Sequence, residues 1–251
     1  MSEPVLSVVV PVRDRTGTRL DNCLRSLRWQ RDVGGPVEIV ISDYGSDPPH
    51  AEAIDALARR HEARVARTPR VGLWNRSRAL NVGIRAAGAP HVLCTDADMI
   101  FAPDFLATVI GVLRDEPRAF VLCRCRDLPP EVPEQPWTVD DFPSLLARAR
   151  WRHALGVGAC QAAARAFFER VRGYDERYVH WGYEDRDMVA RAERAGLRIV
   201  WIHERTSMLH QWHPTTKGDR PWWRQINKLR FFLTRRVLVK NPGGWGCVAD
   251  G

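Results

Sequence analysis

Short apolar runs alternate with amphipathic stretches through the first hundred residues of this 251-residue chain. "VLSVVVPV" is apolar at nearly every position, as a strand buried on both faces must be, and "RLDNCLRSLRWQ" repeats its apolar residues at helical spacing. The alternation continues with a strand in "VEIVIS", a helix in "AEAIDALARRHEA", a strand in "RVART", a helix in "NRSRALNVGIRAAG" closed by Gly88, and a strand through "HVLCTDADM". Strand and helix in turn predict an α/β fold with a mixed, mostly parallel central sheet flanked by helices. In such sheets ligands sit beyond the carboxyl ends of the strands. The polar residues of this half collect there, in "VRDR", "SDYGSDPP" and "TDADM".

Beyond residue 101 the pattern is less regular. Residues 126–144 contain five prolines, which predicts a long connection open to movement. A strand is expected in "LRIVWI", and a last helix in "RPWWRQINKLRFFLTRRVLVK", where Trp222, Trp223, Phe231 and Phe232 mix with basic residues. The expected arrangement of that helix is an aromatic face packed in the core and a basic face in solvent; the other reading is contact with an anionic membrane or a lipid-linked acceptor. With no repeat, low-complexity tract or flexible linker, the two halves, 1–100 and 101–251, are expected to pack as one continuous domain.

Composition narrows the function classes. A hydrophobic content of 45% with 27% charged residues excludes disorder. The net charge of +8 suits anionic partners, and arginines spread along the whole chain favour a phosphate-binding face over a nucleic-acid arm. Six cysteines show neither zinc-site spacing nor a disulfide framework, so they are read as reduced and mostly buried. The first apolar run is far shorter than the roughly 20 residues that span a bilayer and lacks signal-peptide features, which makes a cytoplasmic protein, membrane-associated at most through its last helix, the expectation.

Two stretches carry candidate chemistry. Strand periodicity puts Asp96 and Asp98 of "LCTDADMIF" on one side, and two such carboxylates repel unless a cation or ligand lies between them. Hard divalent ions such as Mn2+ or Mg2+ take carboxylates, and Mn2+ also takes imidazole, which "SMLHQWHP" supplies in His210 and His213. "HWGYEDRDM" places Glu184, Asp185 and Asp187 where a helix starts, and the helix dipole alone accounts for acids there.

"PVRDR" (11–15), "WNRSRALNVGIRAA" (74–87), "CTDADMIF" (94–101) and "HWGYEDRD" (180–187) resemble, in order and approximate spacing, blocks of the beta-1,4-galactosyltransferase family. Those blocks read close to PFRNR, FNRAKLLNVGF, SDVDLIP and WGGEDDD. "SVVVPVRDR" and "ISDYGS" are also similar to the bacterial family-two glycosyltransferases. Both groups have the GT-A (nucleotide-diphospho-sugar transferase) fold. The resemblance implies a metal-dependent inverting glycosyltransferase that moves a hexose from a UDP-sugar to a hydroxyl on a saccharide, lipid-linked, peptide or small-molecule acceptor. It implies donor contacts from Pro11, Arg13, Arg15, Asp43, Arg76, Asp96 and Asp98, a Mn2+ or Mg2+ ion on Asp98 and His210, and Asp185 as general base with Glu184 beside it. Acceptor contacts fall to Trp181, Gly182, Tyr183, Glu184 and Arg186. On this reading 1–100 is the nucleotide-sugar half and 101–251 the acceptor-binding and catalytic half.

The sequence departs from those blocks at four points. Tyr44 replaces the second acid of the family-two DDGS block, Tyr183 replaces a glycine, and Arg186 replaces an acid. Met208 stands two residues before His210, where the family's metal-binding methionine stands three before its histidine, so His213 is an alternative ligand. The rival readings are a nucleotidyltransferase, for which "PVRDRTGTRLD" offers no phosphate-loop lysine, and a basic nucleic-acid-binding module. No nucleic-acid partner is expected.

Overall fold

A computed structural model of the protein describes residues 3–70, 72–152, 156–180, 182–214 and 221–247. The chain opens with β1 (Leu6–Val12), α1 (Thr18–Arg28), β2 (Val37–Tyr44), α2 (Pro48–Arg60), β3 (Arg64–Thr68), α3 (Arg76–Ala86) and β4 (His91–Thr95). It continues through β5 (Met99–Phe101), α4 (Phe105–Asp115), β6 (Ala119–Leu122), β7 (Arg126–Asp127), α5 (Phe142–Arg148), β8 (Arg150–Trp151) and β9 (Cys160–Ala164). Last come α6 (Arg165–Val171), α7 (Glu184–Arg194), β10 (Arg198–Trp201), β11 (Met208–His210) and α8 (Pro221–Thr234).

Seven strands form the larger sheet in the order β10-β6-β9-β4-β1-β2-β3. All its pairings are parallel except those of β9, which runs antiparallel to both β4 and β6. Every residue of β1 is buried, and strand alternation divides its side chains between two cores. Val8 and Val10 face Leu20 and Leu24 of α1 and Phe105 of α4. Val9 faces Leu80 and Ile84 of α3, in the core that Phe168 of α6 and Met188 of α7 complete. Gly83 lets α3 lie this close, because a Cβ there would come 2.3 Å from Val9 Cγ1. A second, smaller sheet has the order β5-β11-β7-β8. No helix among the described residues is long and apolar enough to cross a membrane.

Two expectations change. The strand expected through residue 99 leaves the larger sheet at Thr95, turns, and joins the smaller sheet at Met99. Asp96 and Asp98 therefore lie in a turn and take different partners, rather than sharing one strand face. The proline-rich connection is pinned: Leu128, Trp137 and Phe142 pack with Ile100 and Leu209. Asn22 of α1 donates to the Gln135 carbonyl at 2.9 Å and accepts from the Trp137 amide at 2.9 Å.

Charges buried under α7 fix the helix in place. Asp187 Oδ2 and Arg191 Nε lie 2.8 Å apart with both side chains fully buried. Arg191 Nη1 donates to the Gly173 carbonyl at 2.7 Å. Lys240, beyond α8, brings its ammonium 3.4 Å from Asp187 Oδ1 and 3.6 Å from Asp175 Oδ2. Removing one member of such a group strands the others without compensation. Asp187→Ala is therefore expected to cost about 3 to 5 kcal/mol of stability, read as a lower urea midpoint with an unchanged slope.

Candidate active site

The smaller sheet assembles the first cluster of functional side chains. β11 runs antiparallel to β5 with His210 opposite Met99, and parallel to β7 with His210 opposite Asp127. The Gln211 amide donates to the Asp98 carbonyl at 2.9 Å and carries this pairing one residue further. His213 Nε2 thereby comes 3.0 Å from Asp98 Oδ2, and His210 Nε2 lies 3.7 Å from the same oxygen. One atom from each of Asp98, His210 and His213 fits within 4.8 Å of the others. Burial pushes the Asp98 carboxyl up, but the His213 hydrogen bond and the nearby histidine and Arg15 charges hold it below the ordinary range. Its Oδ1 is buried and has no hydrogen-bond partner. An orphaned carboxylate oxygen beside two imidazoles fits a divalent cation that accepts both oxygen and nitrogen, Mn2+ better than Mg2+. Met208 packs in the core cluster with β1 and α1, whereas both histidines stand at Asp98.

His210 is also held from behind. Its Nδ1 lies 3.1 Å from Asp127 Oδ1, and Arg152 grips Asp127 through Nε at 3.0 Å and Nη2 at 2.5 Å. The carboxylate orients the ring and turns Nε2 toward Asp98, as carboxylates do behind metal-ligating histidines. Burial raises the Asp127 carboxyl, yet His210 and Arg152 outweigh it and keep it strongly acidic.

A second cluster lies where α3 and α7 begin. Asn75 caps α3 by accepting from the Arg78 amide at 2.9 Å, which fixes Arg76 in the first turn. Arg76 donates from Nε to Asp96 Oδ1 at 2.9 Å and from Nη2 to the Gly158 carbonyl at 2.9 Å. Its Nη1 stands 4.0 Å from Glu184 Oε1. Burial favours the neutral guanidine, but Asp96 and Glu184 reverse that and raise Arg76 above its usual value.

Asp185 sits in the first turn of α7, its Oδ1 accepting from the Arg186 amide at 2.7 Å. Gly158 faces it so closely that a Cβ would lie 3.0 Å from Asp185 Oδ2. Gln161 donates to the Asp185 carbonyl at 3.0 Å and accepts from the Tyr174 hydroxyl at 2.6 Å. Asn81 of α3 in turn bonds both the amide and the carbonyl of Tyr174, so the two helix starts are joined through buried polar groups. Burial, then the Asp185 charge, pushes Glu184 up to about 7, and burial raises Asp185 as well.

The residue before α7 explains one sequence departure. Tyr183 has φ 75°, in the left-handed region, where a family glycine costs nothing and a tyrosine costs about 1 to 2 kcal/mol. Its ring packs on Phe231 of α8 at 5.7 Å, with the Arg186 guanidinium 5.5 Å from its centre. Gly182, at φ 103°, adjoins it. Trp181 lies outside the described residues.

The remaining residues expected on the donor side occupy the strand ends. Pro11 is buried in β1, and Arg15 is exposed beyond it. Arg13 donates to the Gly72 carbonyl at 2.9 Å and stands 5.6 Å from the Tyr44 ring centre. Asp43 is fully buried, with one oxygen accepting from the Ser46 amide at 2.9 Å and the other from Arg67 at 2.8 Å. It braces the loop after β2 and exposes no atom to a ligand in this structure. Sequence reasoning missed Asp127, Arg152, Gly158, Gln161 and Tyr174. It also passed over Trp212, a ring 49% exposed between the two histidines.

The family described as "Glycosyl transferase family 2" matches residues 7–172, roughly two thirds of the chain. The chain belongs to glycosyl transferase family 2. Residues 148–213 also match the family described as "N-terminal domain of galactosyltransferase". This family-two glycosyltransferase is 25% identical over 232 residues to the validoxylamine A glucosyltransferases of two Streptomyces hygroscopicus strains, subsp. limoneus and subsp. jinggangensis 5008. The match covers 80% of this chain but only 50% and 54% of theirs, so the chain spans about half the length of those relatives.

Its fold is GT-A. A mannosyltransferase of Pyrobaculum calidifontis in complex with GDP-Man and Mn2+ superposes with a TM-score of 0.62 at 19% identity, over 93% of this chain and 63% of that one. GalNAc-T7 with UDP, GalNAc and Mn2+ superposes with a TM-score of 0.66 at 16% identity, over 84% and 44%.

If Asp127 orients His210, Asp127→Ala is expected to weaken Mn2+ binding by about 10- to 100-fold. Titration calorimetry would measure this, with circular dichroism confirming that the fold is kept.

Proposed function

We propose that the protein transfers a hexose from a UDP-sugar to an acceptor hydroxyl with inversion, aided by a divalent cation. The observation that carries this reading is the convergence of Asp98, His210 and His213 beside a buried arginine and a raised carboxylate pair. Asp98, His210 and His213 would hold the ion, which when bound supplies positive charge for the leaving diphosphate. Residues 1–100 contribute the donor side and 101–251 the acceptor side, and Asp98 of the first half and the histidines of the second would hold the ion together. The relatives and neighbours support a nucleotide-sugar donor: GalNAc-T7 was solved with UDP, and the mannosyltransferase with GDP-Man.

Each side chain then has a defined task. Arg76 keeps Asp96 oriented toward the donor ribose, and Arg13 and Arg15 add positive charge on the diphosphate side. Asp185 takes the proton of the attacking hydroxyl, and its carboxylate, closely faced by Gly158 and accepting from the Arg186 amide, is fixed before the acceptor arrives. Glu184 is more buried, and burial pushes its carboxyl up to about 7, which suits it to act as a hydrogen-bond donor beside the base. Gly182, Tyr183 and Arg186 shape the acceptor entrance.

A panel of nucleotide sugars with Mn2+, scored by hydrolysis, is expected to single out a UDP-hexose. Binding of no nucleotide sugar by the wild type, or full transfer activity in Asp98→Ala, would overturn the reading.

The pH dependence follows from the carboxylates. The base acts deprotonated, and its folded-state affinity for the proton is raised, so kcat/KM should fall as pH drops while still above the ordinary aspartate range. A further inflection at about 7 is expected from Glu184, whose carboxyl burial pushes up to about 7. It should vanish from the pH profile of Glu184→Gln while the lower limb persists.

A further inference from the structure

α8 inverts the arrangement expected of it. Trp222, Ile226, Leu229 and Leu233 recur at helical steps of four, three and four, so they share one face, and that face is open to solvent. Leu229 is 61% exposed and Leu233 is 73% exposed, and Phe232 lies beside them at 53%. Seven of the nine exposed large apolar side chains among the described residues fall between 222 and 239. An apolar patch so concentrated on an otherwise polar surface marks a contact.

The charges around the stripe point to the partner. Residues 221–240 contain no acid, and Lys228, Arg235 and Arg236 are exposed on the helix and just beyond it. Two copies packed through this face would bring cations together with no carboxylate from either helix between them. A bilayer carrying anionic lipid supplies both an apolar interior for the stripe and negative headgroups for its flanks. Trp222, at the start of the stripe, is a residue type favoured at the membrane–water boundary. The opposite face of α8 is firmly seated: Asn227 donates to the Val179 carbonyl at 3.0 Å, Arg230 donates to the Arg177 carbonyl, and Phe231 packs on Tyr183.

We propose that α8 docks the protein onto an anionic membrane surface through Trp222, Ile226, Leu229 and Leu233, with Lys228, Arg235 and Arg236 at the headgroups. The docking stands apart from the catalytic reading. Because α8 is packed on Arg177, Val179 and Tyr183, it carries the segment before Asp185 to the bilayer surface.

Cosedimentation with vesicles tests this on the whole chain. Wild type is expected to bind vesicles of equal parts phosphatidylcholine and phosphatidylglycerol, and to bind pure phosphatidylcholine poorly. Leu229→Glu with Leu233→Glu should lower partitioning at least about tenfold. Arg235→Gln with Arg236→Gln should lower it less and reduce its dependence on salt. Binding of UDP with Mn2+, measured on the same variants, should stay at the wild-type level, which separates a docking defect from misfolding or a failed donor site. The proposal is overturned if wild type ignores the mixed vesicles or if the double leucine variant partitions as well as wild type. It is also overturned if wild type forms a dimer in solution that the leucine variant dissolves, since that assigns the face to a second copy.

Discussion

Asp98 and His213 are 115 residues apart in the chain, and the pairing of a few short strands is what joins them. β11 contributes only three residues, yet its register against β5 and β7 decides which side chains meet. A slip of one residue would turn every side chain of the strand to the other face, sending His210 into the core and separating Asp127 from it. The apolar cluster of Ile100, Leu209, Leu128 and Trp137 fixes that register. The site therefore rests on how well one small hydrophobic cluster is packed, with the proline-rich segment as its outer wall.

Asp185, the proposed base, is held by a different means. α7 begins without a side-chain cap, and buried polar groups do the positioning instead. Asn81, Tyr174 and Gln161 reach the Asp185 backbone from α3, while Asp187, Arg191 and Lys240 secure the helix from beneath. In a low-dielectric interior such groups are costly when unpaired and rigid when paired. Rigidity is what a base requires if it is to meet a hydroxyl within hydrogen-bond reach.

The first half of the chain was readable because its strands are long and its helices amphipathic; all four expected strands and all three expected helices are present. Asp96, Asp98, Arg76, Glu184, Asp185, His210 and His213 gather as two adjoining clusters that their order and spacing suggested. Asp127 and Arg152 were not readable. They lie on or beside strands of two residues, too short to show any periodicity, and their partnership exists only through the pairing of the smaller sheet. Gly158 and Gln161 gave no signal because their roles are a close approach and a backbone contact. α8 misled for a physical reason: its helical spacing is real, but periodicity alone does not say which face the rest of the protein covers.

Tyr183 has a consequence in conformational entropy. A glycine there would sample both signs of φ, and the segment ahead of Asp185 could relax among many shapes between turnovers. The tyrosine removes most of those states, and its ring, clasped by Phe231 and Arg186, selects one of the few that remain. On the proposed function, less disorder has to be frozen out when an acceptor enters, at the expense of tolerance for acceptors of other shapes. The substitution makes this stretch a narrow template where the glycine of the galactosyltransferase block would leave a pliable one.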